Sequence, residues 1–144
     1  MKHIEKIGYF SVLATIFLIP LFFLPLTSEF YEFNKLTLLF LGTSVSLVCW
    51  VLSFVANRQV RLVHSPLNLP ILVLAVTWTL SALIRSPNRF DAFFEPTQAG
   101  TFIALVIFFF VSINLIRSRR QFDSALWSLL ASVSLLGVIS IIWG

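Results

Sequence analysis

Charged residues in this chain fall in clumps, and the stretches between the clumps are apolar and long. Five such stretches run Ile7–Leu26, Leu36–Ala56, Leu67–Ile84, Thr97–Ile116 and Ser124–Trp143. Each is close to the ~20 residues that a helix rising ~1.5 Å per residue needs to cross about 30 Å of hydrocarbon. The pattern predicts an all-α, polytopic integral membrane protein with about five transmembrane helices, residues 1–144 forming a single helical domain.

Composition carries the same conclusion. Hydrophobic residues make up 58% of the chain and charged residues 11%, and the mean hydropathy is +0.97. A soluble domain has roughly half its residues apolar and about a quarter charged, and could not hide this much apolar surface. The net charge of +4 does not point to nucleic acid, because the basic residues form no stripe with interleaved aromatics. They read instead as loop charge that sets orientation. The lone cysteine, Cys49, lies inside the second stretch; with no second thiol, CxxC or Cys/His cluster, it reads as a small packing residue.

The ends and faces of the stretches carry local signals. The first is too long for the apolar region of a signal peptide and no small-x-small site follows it, so it is expected to remain as a helix. Pro20 and Pro25 interrupt its second half and predict a bent exit. In the second, Gly42 and Ser46 stand in small-xxx-small register, which allows close helix approach. The third starts with Ser65 as N-cap, Pro66 at the first helical position and Pro70 near the first turn. Its Thr77 and Ser81 share one face, read as a packing face in preference to a polar path. The fourth starts at Pro96 or Thr97 and is apolar all round, with Phe108, Phe109 and Phe110 in a row. In the fifth, Asp123 or Ser124 is the expected cap, and Ser124, Ser128 and Ser132 form a stripe seeking a packing partner. The stretch ends Ile141-Ile142-Trp143-Gly144 without a charged flank, from which we expect the chain to be part of a longer protein.

Lys and Arg alone set the threading. Lys2, Lys6, Arg58, Arg61, Arg117, Arg119 and Arg120 fall on one side, seven against the three of Lys35, Arg85 and Arg89 on the other. The majority side is assigned to the cytoplasm, which places the N-terminus inside and, after five crossings, the C-terminus outside.

Catalytic constellations are not legible. His3 and His64 have no carboxylate or cysteine at metal-ligand spacing. No serine lies in a GxSxG context, and no Gly-rich phosphate loop exists. No catalytic residue, metal ligand or cofactor is therefore assigned. The outer loop from Arg85 to Gly100 is the least bland segment, joining Arg85 and Arg89 to Phe90, Phe93 and Phe94. Phenylalanines seated in the interface would leave Arg85 and Arg89 near lipid phosphate, which a guanidinium fork binds bidentately. The plainer reading is that both arginines snorkel and anchor span ends.

The order "FLPL", "EFNKLTLLFLGTSVSLVCWVLS", "SPLNLPILVLAVTWTLSALIRSP", "GTFIALVIFFFVSINLIRSRRQFDSALWSLLASVSLLGVISI" resembles the N-terminal half of the O-antigen ligase and polymerase-like membrane proteins. Carrying the resemblance are the Pro-rich end of the first span, Lys35 opening the second, the entry Leu67 to Pro70, the exit Ser81 to Ser86, and the basic turn before the fifth. It implies a bacterial cytoplasmic-membrane glycosyltransferase acting on polyprenyl-diphosphate-linked glycans in cell-envelope polysaccharide assembly. Family members place the arginine and histidine thought to act on the donor mostly in an external loop of the second half. No residue here inherits that role, so the chain is expected to be the scaffold portion, inactive alone. A transporter part and a small membrane scaffold that binds other proteins stay open; against the transporter, no acid or base lies inside a predicted span.

Overall fold

The computed structural model describes residues 2–21, 31–57, 63–85 and 99–143. Those residues form five helices: α1 Lys2–Leu21, α2 Tyr31–Asn57, α3 Asn68–Arg85, α4 Ala99–Leu115 and α5 Arg119–Trp143. The protein is all-helical. Among the described residues, three helices contain apolar runs long enough to cross a membrane, Ile4–Leu21, Lys35–Ala56 and Arg119–Ile142, while Asn68–Ile84 and Ala99–Leu115 are shorter apolar helices.

α3 and α4 keep nearly the bounds that hydropathy predicts. α1, α2 and α5 each start five residues before their apolar stretch, and a helix can run on past the hydrocarbon where its first turn is capped. α5 shows the cause. The Ser118 hydroxyl accepts the Gln121 N–H at 3.2 Å, and Gln121 Oε1 accepts the backbone N–H of Ser118 at 3.2 Å and of Arg117 at 2.8 Å. This is a capping box with Gln at its third position. The expectation of Asp123 or Ser124 as cap is thus corrected: both lie inside the helix, where Ser124 donates to the Arg120 carbonyl at 2.9 Å. At α3 the Ser65 hydroxyl accepts the Leu67 N–H at 3.3 Å, as a cap should, although regular helix begins only at Asn68. Pro20 is the penultimate residue of α1; Pro25 and the expected bend lie outside the described residues.

α1 is the axis of the bundle, packed by α2, α4 and α5, while among the described helices α3 packs on α4 alone. Paired residues fix the directions. Gly8 meets Cys49, Ser11 meets Ser46 and Thr15 meets Gly42, so α2 runs antiparallel to α1. Ser128 and Ser132 pair with Leu13 and Phe17, so α5 runs parallel to it. Trp78 of α3 stacks on Phe102 of α4 at 5.4 Å between centroids. Where α1, α2 and α4 meet, Val12, Val111 and Leu115 form the core, with Ile16, Leu47, Trp50 and Phe108 packed around them. Most large apolar side chains point outward instead: Val55, Leu69, Ile84 and Ile141 are more than 70% exposed, an arrangement that lipid accepts and water would penalise.

Candidate functional site

Small and hydroxyl-bearing residues line the seam between α1 and its neighbours. Gly8, Ser11 and Thr15 recur at three- and four-residue spacing and share the face turned to α2. Opposite them stand Cys49, Ser46 and Gly42. The fully buried Ser46 donates to the Ser11 hydroxyl at 3.0 Å. A β-carbon at Gly42 would meet Oγ1, Cγ2 and Cβ of Thr15, the last two at 2.7 and 3.0 Å. One at Gly8 would stand 3.0 Å from Cys49 Cβ and 3.2 Å from the Leu115 methyls. The seam is therefore a backbone-to-backbone approach made possible by missing side chains. On the far side of α1, Ser128 donates to the Leu13 carbonyl at 3.5 Å and Ser132 to that of Phe17 at 2.5 Å.

Outside this seam, polar side-chain contacts gather where the N-terminus meets the α4–α5 turn. The buried Asn114 donates to the Phe110 carbonyl at 2.7 Å and accepts the Val63 N–H at 3.0 Å, while Asn68 donates to the Val63 carbonyl at 3.1 Å. The segment entering α3 is thus tied to the end of α4. Arg117 pairs with Glu5 at 3.0 Å, and the Tyr9 hydroxyl donates to the Gln121 carbonyl at 3.3 Å. Glu5 and Arg117 are 32% and 48% exposed, so water screens the pair and it is worth about 0–1 kcal/mol.

Clefts open between the helices. One of about 520 Å³ lies between α4 and α5 over α1; another, about 290 Å³, lies between α2 and α4 and is lined by Phe40, Thr43, Leu47, Gly100 and Ile107. The hydroxyls of Thr43, Thr101 and Ser112 are buried without a hydrogen-bond partner. Among the described residues no three His, Cys, Asp or Glu side chains converge as metal ligands.

The sequence-predicted residues separate on this frame. Gly42, Ser46 and Cys49 are packing residues of the α1–α2 seam. Ser128 and Ser132 find their partner in α1 of the same chain, but Ser124 is exposed and turns to its own helix. Thr77 and Ser81 are both exposed, with no helix among the described residues covering them, and Thr77 donates to the Val73 carbonyl one turn back at 2.7 Å. Arg89, Phe90, Phe93 and Phe94 lie outside the described residues, and of Arg85 only the backbone, closing α3, is described. Sequence reasoning missed Gly8, Ser11, Thr15 and Asn114. Their signals were available: small residues at helical spacing in the first stretch, and an asparagine near the end of an apolar one.

Compared with known protein families, curated proteins and solved structures, the chain matches none.

Proposed function

We propose that this chain is a membrane-embedded helical scaffold, the supporting portion of an O-antigen ligase-like glycosyltransferase that handles polyprenyl-diphosphate-linked glycans in a bacterial cytoplasmic membrane. The observation that carries the scaffold role is the division of labour around α1. Its hydroxyl and glycine contacts hold α2, α4 and α5, whereas α3, which among the described helices packs on α4 alone, turns Leu69, Leu72, Val73 and Val76 outward. Such a face suits a helix that meets lipid or further membrane helices. The glycan chemistry rests on the resemblance of the apolar blocks and their Pro, Lys and Arg punctuation. With the N-terminus inside, Arg85 and Arg89 fall on the outer side, where a lipid diphosphate or anionic head group would meet them.

Deleting the gene in its host tests the reading. Loss of polymer attached to its lipid acceptor, with accumulation of the polyprenyl-linked glycan, is the expected result; an unchanged envelope glycan profile would overturn it. The same outward face of α3 favours a second reading, a scaffold for other membrane proteins unrelated to glycan transfer. That reading predicts an unchanged glycan profile together with a stable partner that co-purifies in mild detergent and is released by Val73→Trp.

A further inference from the structure

We propose that the cleft between α4 and α5 binds one acyl chain of an anionic glycerophospholipid, with the phosphate held at its arginine-bearing end. The two helices are joined through Ile116, Arg117 and Ser118, yet beyond this link their backbones do not approach one another. What separates them is a slot of about 520 Å³, within the ~300–1,000 Å³ typical of ligand sites. Ile16 and Pro20 of α1 form its floor, Ile113 and Ile116 one wall, Phe122 and Leu126 the other. Phe122 and Leu126 are about half exposed, so in a bilayer the slot opens to lipid and is filled by it.

Charge selects the occupant. Arg117 stands in the link at the base of the slot, and Arg119 opens α5 three and seven residues before Phe122 and Leu126, which puts it on the same helical face as that wall. Arg120 and Lys6 are exposed at the same end. The nearby acids are Glu5, whose carboxylate takes one nitrogen of Arg117, and the exposed Asp123. An apolar slot with a net cationic end fits a molecule that is a chain followed by a phosphate. A transmembrane helix from another protein would supply the apolar part but would need carboxylates placed against the arginines.

The full chain in detergent would be titrated with phosphatidylglycerol and with phosphatidylcholine of identical chains, and retained lipid counted by native mass spectrometry. Phosphatidylglycerol should be retained about fivefold better, the effect of one arginine at an anionic head group. Arg119→Gln should remove that preference, and Leu126→Trp, which fills the slot, should lower retention of both lipids. Equal retention of the two lipids by the wild type, or an undiminished preference in Arg119→Gln, would overturn the proposal. So would a dimer that Leu126→Trp dissociates, since a second copy would then be the occupant. Arg119 is exposed, so its variant keeps the test decisive if Leu126→Trp does not fold.

Discussion

At Gly42 the distance between two helices is set by a side chain that is not there. A methyl group added to it would run into Thr15, whose hydroxyl donates to the Ser11 carbonyl at 2.8 Å and whose Cβ cannot swing aside. Gly42→Ala should therefore destabilise the fold by about 1–3 kcal/mol, as overpacking does. Gly137 has nothing within 4 Å of a built β-carbon, and Gly137→Ala should be neutral or stabilising by up to ~1 kcal/mol through helix propensity. Denaturation in mixed detergent micelles would compare the two; equal midpoints would refute the close approach of α1 and α2. The serine stripe divides in the same way. Ser132 is fully buried and donates to Phe17, so Ser132→Ala should cost about 0.6 kcal/mol or somewhat more, while Ser124→Ala, exposed, should cost nothing measurable. A common value for the two would mean that the stripe has no preferred partner.

At the scale of one helix, the start of α5 is decided by four residues, Ser118 to Gln121, and the apolar pattern that begins afterwards has no say in it. Ser118→Ala should cost ~1 kcal/mol and accelerate amide exchange at Gln121, whose N–H the serine holds. Asp123→Ala should leave that amide unchanged; acceleration by Asp123→Ala alone would restore the later start. Ser-x-x-Gln is a readable signature. It is hidden here because two arginines, Arg119 and Arg120, sit inside it and read as loop. α3 presents the opposite situation. Its bounds follow from Pro66, Pro70 and the apolar run, but its Thr77–Ser81 face is exposed, and Thr77 satisfies its hydroxyl within one turn of its own backbone. A hydroxyl in an apolar helix has that option at every position, so a serine or threonine stripe in sequence does not say whether a second helix covers it.

Across the whole molecule, Glu5, Val63, Asn114 and Arg117 come together at one end of the bundle. On the proposed orientation, with the basic excess in the cytoplasm, that end would lie inside and the end of α5 outside. A reporter active only in the cytoplasm should be silent when fused after Gly144 and active when fused after Arg120; the reverse pair would invert the orientation. Arg85→Ala with Arg89→Ala should weaken binding of a polyprenyl diphosphate about thirtyfold, ~1 kcal/mol for each arginine, and less at high salt. Lysine at both positions should recover part of the loss, because it keeps the charge without the bidentate fork. Unchanged binding in a lipid-exchange assay would leave those arginines as anchors only.

Hydropathy alone determined that this chain is a set of membrane-length and near-membrane-length helices, and it located α3 and α4 closely, because the cost of placing charge in hydrocarbon is a local property of each segment. Gly42, Ser46, Ser128 and Ser132 were also legible as packing residues, since small side chains permit close approach wherever they stand. Tertiary structure decided which stripe meets which helix. Stripes on α2, α3 and α5 look alike along the chain, yet α1 takes two of them and the third is exposed: Gly8, Ser11 and Thr15 receive the α2 stripe, and the Leu13 and Phe17 carbonyls on the other side of α1 receive that of α5. The α4–α5 slot was likewise beyond reach of the sequence. It exists because those two helices both pack on α1 without touching one another, and a gap between elements leaves no periodicity in either.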